Sequence, residues 1–493
     1  MTNKKHSYIV KVFGALVLLL SVLLSGCAVN PATGRHDYVL MSESEELALG
    51  RKHSKEVLKQ YRVYDDPALQ QYIQSVGDKV AKLSHRNNLF YRFTLLDSTQ
   101  VNAFALPGGY IYITRGLLVY LNSEAELAAV LGHELGHVTA RHSVRQHSMS
   151  TTTNLLGALI GAASGVQGVG QLTNIIGTGI VRGYGREHEL EADGLGVEYL
   201  ARAGYDPAAM EKVITTLKNQ ELFDKKVARE LGREPRAYHG VFSTHPANDK
   251  RLQQVLRKTS IKHRPTHSSQ GQDIGFIRRL AGLTFGDSEK DGITKGNTFY
   301  HGDINFKFSF PNGWMLSNQP SAIQIMAPKN EAFIQVSMQD LNKRLTPQQF
   351  MKTRMGIDNT IAEQAIRLPG YKAYSVVTKG KTPYGQKKVR VSVLVEGVRA
   401  FVILSSAKHD NQFARYDRDF LNTVKSFSKL SHQDRKKAKQ LSLATIKPNS
   451  RTTFSSLANR SPIAHHPEDQ IRLLNGAFPN GNIKTGDLIK IVR

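Results

Sequence analysis

The sequence is poor in cysteine, in long apolar runs and in acidic charge. Cys27 is the only cysteine among 493 residues, so no disulfide can close within the chain. One stretch near the N-terminus is apolar enough to enter a bilayer, which excludes a polytopic membrane protein. Lysine and arginine number 66 against 41 acidic residues, leaving a formal charge of +25. That balance favours anionic partners such as nucleic acid, lipid headgroups or envelope polymers. There are no convincing internal repeats. With 40% hydrophobic and 22% charged residues the composition is ordinary for a globular chain, which excludes wholesale disorder or collagen. At about 150 residues per domain the length predicts roughly three domains.

The apolar stretch reads as an address. Lys4, Lys5 and Lys11 precede an apolar core from Phe13 to Leu24, the shape of a secretory signal peptide that is set aside from fold reasoning. Its end, Leu24-Ser25-Gly26-Cys27, resembles a bacterial lipoprotein box. The resemblance implies cleavage before Cys27 and lipidation of its thiol, so that acyl chains hold a periplasmic protein to the membrane. Ala28 in place of Asp after the cysteine implies the outer membrane. No nucleic-acid partner is expected there. The competing reading is an uncleaved membrane anchor.

Composition and patterning divide the rest. Residues 1–26 are the signal and 27–41 a tether. Helical segments fill 42–84, with Asp66-Pro67 as a start signal. Residues 89–115 turn to β-branched and aromatic patterning around Pro107-Gly108-Gly109 and predict strands. Helices resume from 123 and run to 257. Residues 148–181 carry no charge and many glycines; frequent Thr, Asn, Gln and Ser predict buried small-residue packing there, not a membrane span. A polar linker, 259–295, leads to an α+β domain at 296–430, and a basic connection to a small module at 441–493.

The chemistry concentrates at His133-Glu134-Leu135-Gly136-His137. By itself this pattern is only suggestive. Ser123 with Glu126 three residues on predicts a capping box that starts a helix, and on a helix residues four apart share a face. His133 and His137 can therefore hold one Zn²⁺, with Glu134 beside the water that the ion activates. Catalytic zinc takes a third protein ligand. Glu189, four residues before Asp193 on a second helix, is the candidate, and Asp193 is placed to accept the free ring N–H of a ligand histidine. The competing reading of Glu189 and Asp193 is a solvated acidic face. His142 and His147 fall out of register with the zinc face, and His188 points elsewhere on its helix, so none is expected to be a ligand.

These residues resemble peptidase family M-48, zinc peptidases that include prenyl-protein endopeptidases and periplasmic quality-control proteases. The likeness takes in Asn102 to Gly109, Thr114 to Leu117, Glu189-x-x-x-Asp193 and Ser243-Thr244-His245-Pro246, and covers roughly 35–257. Within the family it is nearest to the soluble periplasmic members close to the β-barrel assembly machinery. The tetratricopeptide tail usual in those members is not found in this sequence, so their partners do not carry over. The resemblance implies one Zn²⁺ per chain on His133, His137 and Glu189. It implies Glu134 as the base that takes a water proton and later protonates the leaving amine. It also implies His245 as a donor to the oxyanion or as a resting occupant of the metal's open position. A surface histidine before proline is the competing reading of His245. Asn102, Ala103, Phe104 and Ala105 are candidates for an edge strand that holds extended substrate; the alternative, a simple turn at Pro107-Gly108-Gly109, is compatible with it.

Two modules remain. The 296–430 domain shows no catalytic cluster. The last module, with LLNG at 473–476 and KTGDLIKIV near its end, is weakly similar to LysM, whose domains bind N-acetylglucosamine polymers such as peptidoglycan; a generic packing module is the alternative. The expected fold class is α+β multidomain: a mainly helical zincin-type metallopeptidase domain (42–258) with a small sheet, an α+β sandwich and a small C-terminal module. The expected function is a zinc metalloprotease, a hydrolase of misfolded or unassembled envelope proteins in periplasmic protein quality control. The alternatives are a chaperone or scaffold with a latent metal site, and a peptidoglycan-binding envelope protein.

Overall fold

A computed structural model describes residues 27–164, 184–230, 251, 272–319, 321–484 and 486–493. They fall into two units. One runs to Ala228 and adds Glu234–Leu283 and Leu443–Arg493; the other is Thr284–Ser442 with Arg229–Arg233. The signal sequence, the part of 148–181 beyond Ser164 and residues 243–246 lie outside the described residues, as do the side chains of Cys27 and of 154–183.

The first unit opens on a hairpin where a tether was expected. Cys27–Val29 (β1) pairs antiparallel with His36–Tyr38 (β2). The Asn30 side chain holds the turn, with Oδ1 accepting from the amides of Ala32 and Thr33 and Nδ2 donating to Asp37 and to the carbonyl of Ala140. Satisfying these polar groups around the buried Asn30 fixes a segment that composition alone reads as a linker.

Glu43–Gln60 (α1) starts at a Ser42–Glu45 capping box, and Pro67–Ala81 (α2) starts at Asp66 with proline in its first turn. Both starts follow from local side-chain oxygens satisfying orphan amides. Three strands follow: Arg92–Leu96 (β3), Ala103–Leu106 (β4) and Tyr110–Thr114 (β5), in the order β3-β5-β4, with β3 parallel and β4 antiparallel to β5. Gly108 and Gly109 turn the β4–β5 hairpin at φ 75° and 89°, a region that costs other residues strain. The turn lies against α1, where a Cβ on Gly50 would sit 1.9 Å from the Pro107 carbonyl oxygen.

Arg115–Leu118 (α3) leads to Glu124–Thr139 (α4), which is buried from Glu126 to Thr139. Its start differs from the expected capping box. Ser123 accepts from the Glu126 amide, but the Glu126 carboxylate reaches back to the Asn122 amide at 2.8 Å, one residue before the cap. Helices His142–Ser164 (α5), Arg186–Arg202 (α6), Ala208–Glu230 (α7) and Ile274–Arg279 (α8) complete this part. The first described stretch of α5 is not the buried packing expected of 148–181: Met149, Ser150, Thr151 and Thr153 are exposed, and Ser148 is buried beneath the Leu40 amide. Among the described residues no helix is long and apolar enough to cross a membrane.

The second unit holds Ile293–Lys295 (β6), Thr298–His301 (β7) and Phe306–Ser309 (β8) as a meander. Seven more strands form one antiparallel sheet: Met315–Gln319 (β9), Ala322–Met326 (β10), Ala332–Asp340 (β11), Ala362–Leu368 (β12), Tyr371–Thr382 (β13), Gly385–Glu396 (β14) and Arg399–Ala407 (β15), in the order β9-β10-β11-β15-β14-β13-β12. Pro347–Met355 (α9) buries Phe350 and Met351 with Val391 and Val393, while Phe413–Lys425 (α10) buries Phe420 and Val424 with Phe306, Phe308 and Phe401. The period-2 alternation of the central strands thus feeds two separate apolar cores. His432–Lys437 (α11) closes the unit with a Ser431–Asp434 capping box.

The chain then returns to the first unit. Leu441–Ile446 (β16), Phe454–Ala458 (α12), Pro467–Leu474 (α13) and Ile489–Val492 (β17) give a β-α-α-β order, with Leu443 to Ile446 antiparallel to β17. Expected as a separate domain, this module belongs to the same compact unit as the helices around the motif.

Candidate metal and catalytic site

The site exists because two helices can approach closely. A Cβ on Gly136 of α4 would lie 2.9 Å from the Ala192 carbonyl oxygen of α6, and one on Gly196 would lie 3.1 Å from the His133 nitrogen. Gly132 and Gly136 on one helix face Ala192 and Gly196 on the other, so little side-chain bulk separates the backbones, and interaxial distance follows side-chain size at the crossing. This small-x-x-x-small spacing on both helices was a signal in the sequence that motif reading passed over.

At the crossing three ligand atoms converge. His133 Nε2 lies 3.1 Å from His137 Nε2, His133 Nε2 3.6 Å from a Glu189 oxygen, and His137 Nε2 3.5 Å from its other oxygen. All three residues are buried and form the one candidate metal group among the described residues.

The opposite ring nitrogens are both engaged. His133 Nδ1 lies 2.8 Å from Asp193 Oδ1, and His137 Nδ1 lies 2.8 Å from His142 Nδ1. His142 Nε2 continues to Glu191 Oε2 at 3.0 Å, where Arg145 also donates at 3.0 Å. With Nδ1–H donating to Asp193 and to His142, both Nε2 atoms of His133 and His137 present lone pairs to each other at 3.1 Å. Such an arrangement is repulsive without a cation. Ligand atoms about 2.0–2.2 Å from a tetrahedral zinc lie about 3.3–3.6 Å from one another, so the donor set fits the ion.

The charges around this set are paired. Arg251, 3% exposed, donates to both Asp193 oxygens at 2.7 and 2.8 Å and lies 3.2 Å from Glu189 Oε2. Burial alone would raise the Asp193 carboxyl, but Arg251 and then His133 hold it well below the usual range. For Glu191 too, burial opposes ionisation and is outweighed by His142 and Arg145, which bring its pKa to about 2. Burial pushes the His142 imidazole down, and burial with the neighbouring His142 lowers His188 to about 4. A neutral His142 can accept from His137 Nδ1 and donate to Glu191 at once, which fixes the His137 tautomer.

Glu134 is buried and lines a cavity with Ala103, Leu117, Val130, His133, Met210, Val213, Ile214, Leu217 and Arg251. β4 lies at the sheet edge over this helix. Its Ala103 lines the cavity, and Ala105 borders a second, smaller cavity with His137, while Phe104 points the other way and stacks on Tyr112 at 5.0 Å. Asn102 is buried, and its carbonyl accepts from the Thr114 amide. The strand expected to carry substrate is therefore placed beside the motif.

Sequence reasoning assigned no role to His142, Tyr184 or Arg251. His142, expected not to be a ligand, stands outside the candidate metal group, but it is completely buried and bonds to His137 of that group. His147 is exposed and takes no part, while His188 stacks on His142 at 4.3 Å. The Tyr184 ring stacks on His137 at 3.9 Å, with its hydroxyl 2.6 Å from Ser143. His142 lies five residues after His137, a spacing that a search for same-face ligands discards.

Residues 67–259 match the model of peptidase family M48. This part of the chain is an M48 peptidase domain. The chain is 31% identical over 284 residues to the beta-barrel assembly-enhancing protease of Yersinia pestis, covering 54% of this chain and 56% of that protein. It is 31% identical over 266 residues to the protein of the same name in Escherichia coli (strain K12), covering 52% and 51%. Against the mitochondrial metalloendopeptidase OMA1 of Arabidopsis thaliana the identity is 32% over 225 residues, covering 44% and 43%. The chain thus spans about half the length of these relatives.

Proposed function

We propose that the protein is a zinc-dependent endopeptidase that hydrolyses misfolded or unassembled envelope proteins. The observation that carries this reading is the convergence of His133, His137 and Glu189 next to a buried Glu134 and an apolar cavity. Zinc on these three residues would supply Lewis-acid polarisation of the scissile carbonyl and activation of a water at neutral pH. Glu134 takes the water's proton and returns it to the leaving amine, a role that contributes about 10²–10⁴-fold. The edge of β4 binds the peptide through main-chain groups, which suits unfolded chains with little sequence in common. The cavity receives one apolar side chain beside the bond that breaks. His245, outside the described residues, is the proposed oxyanion donor.

The relatives named for enhancing β-barrel assembly support an envelope role, and the lipoprotein-like segment ending at Cys27 supports attachment to the outer membrane on the periplasmic side. The β-α-α-β order of the last module favours a second, added property, peptidoglycan binding. Pulldown of the full mature chain by peptidoglycan checks it, and no retention above a control protein refutes it.

The deciding experiment is cleavage of reduced casein by zinc-loaded mature protein and by Glu134→Gln. At least a hundred-fold loss in the variant, with zinc retained, is the expected result. Equal rates would remove Glu134 from the mechanism. No cleavage by either protein would favour the scaffold reading with a latent metal site.

A further inference from the structure

The cavity beside Glu134 is small. Its free volume is about 30 Å³, room for a water or two and less than an aliphatic side chain fills. Substrate can place a side chain there only if a wall gives way. Four of its residues, Met210, Val213, Ile214 and Leu217, stand on α7, and Leu117 stands on α3.

Both elements are gripped by the C-terminal module. Lys490, fully buried on β17, donates from Nζ to the carbonyls of Val119 and Leu121 at 2.7 Å each. These carbonyls lie just past the end of α3, where helix carbonyls lack partners, and a cation satisfies them well. Lys490 is held in turn by Asn475, whose side chain bonds both its amide and its carbonyl. On α7, Asn219 donates to the Phe478 carbonyl at 3.2 Å, Lys226 pairs with Asp469 at 2.7 Å, and the Phe223 ring meets Phe478 and His466 at 6.1 and 5.9 Å. Burying an ammonium is costly unless its geometry is well satisfied, so this attachment is specific and not a loose contact between domains.

We propose that the C-terminal module is a brace that sets the aperture of the cavity, and through it which side chain beside the scissile bond is accepted. The inference rests on the peptidase reading. A helix wall held at one end by a second module moves outward only as far as that attachment allows, so loosening the attachment admits larger side chains without touching the zinc ligands.

The test uses the full mature chain and two variants, Lys490→Met and the milder Asn219→Ala, neither of which lines the cavity. Peptides that differ only by Ala, Leu or Phe at the cavity position are compared by kcat/KM, with zinc content and backbone amide exchange of α7 measured alongside. The expected result is a Phe-to-Ala ratio raised at least five-fold in Lys490→Met and less in Asn219→Ala, with full zinc and faster exchange at Met210 to Leu217. A ratio unchanged while wild type and variants all cleave would overturn the brace. A uniform loss across peptides would reduce it to a stabilising contact and overturn it equally. If the zinc-loaded wild type cleaves nothing, the peptidase reading fails separately, and exchange of α7 at the wild-type rate in Lys490→Met would still refute the brace.

Discussion

The two units bury different things. In the first, Glu46, Glu126, Glu189, Asp193, Arg86, Arg251 and Lys490 all lie inside the protein. In the second, the largest core is built around Phe299, Phe306, Phe308, Phe401, Phe420 and Phe427, and its buried polar groups include five serines, with Arg390 paired to Asp417 and Asp434 to Lys307 as its buried charges. Buried charge is expensive and persists where paired. The first unit accepts that cost at several places, one of them the point where two helices cross and three donors meet, where Arg251 pairs with Asp193 and Glu189. The second unit, with a conventional apolar core, shows no such gathering among the described residues.

The sharpest way to break this contrast is to remove one charge from the first unit and one ring from the second. Arg251→Ala leaves Asp193 and Glu189 buried without their cation, and losing one partner of such a pair costs about 3–5 kcal/mol. Phe420→Ala, at a fully buried position, costs about 3–5 kcal/mol through transfer and cavity terms. The two separate on adding zinc. Thermal unfolding of Arg251→Ala should recover in part, because the ion replaces the missing charge, whereas Phe420→Ala should not respond. Equal responses to zinc would show that the contrast is empty.

A smaller effect is expected at His142. Replacing the partner that orients a metal-binding histidine lowers metal affinity about 10–100-fold. Zinc competition with a chromophoric chelator should show that loss for His142→Ala and almost none for the exposed His147→Ala. Gly136→Ala should resemble His142→Ala, since its new Cβ would push α6 and Glu189 away from α4.

The smallest effect belongs to the second unit. Burial would raise the Asp434 carboxyl, but Lys307 and Ser431 outweigh it and bring the pKa to about 2, from an ordinary 3.8. A depressed acid stabilises the fold above its unfolded pKa. The Asp434 contribution is therefore complete above about pH 4 and lost as the pH falls toward 2. Asp434→Asn should cost about 1 kcal/mol at neutral pH, as capping residues do, and should flatten that acid limb in denaturant titrations. A wild-type limb retained in the variant would remove Asp434 from the account.

Much of the site was legible because its chemistry is local. His133, Glu134 and His137 lie within about one helical turn, and Asp66 and Ser123 announce helix starts through side chains that act within four residues. The role of His142 was not legible, since its contact with His137 forms across the break between α4 and α5. Arg251 was missed for a related reason: it reaches Asp193 and Glu189 from about sixty residues away, and a lone arginine after a histidine-proline pair has no periodic signal. The hairpin at 27–38 looked like a tether because its order comes from Asn30, Tyr38 and Leu40 bonding to α4 and α5, not from its own composition.

The sequence by itself determined the donor types and their helical spacing, the strand-turn-strand beside them, and the apolar periodicity that makes separate cores, because each depends on neighbours within a turn or two. Tertiary structure alone decided that His142 meets His137, that Arg251 pairs with Asp193 and Glu189, and that the last residues of the chain hold α3 and α7. Those outcomes turn on interhelical distance and on where buried polar groups find partners, quantities that emerge only when glycine faces close on each other and every buried charge must be satisfied.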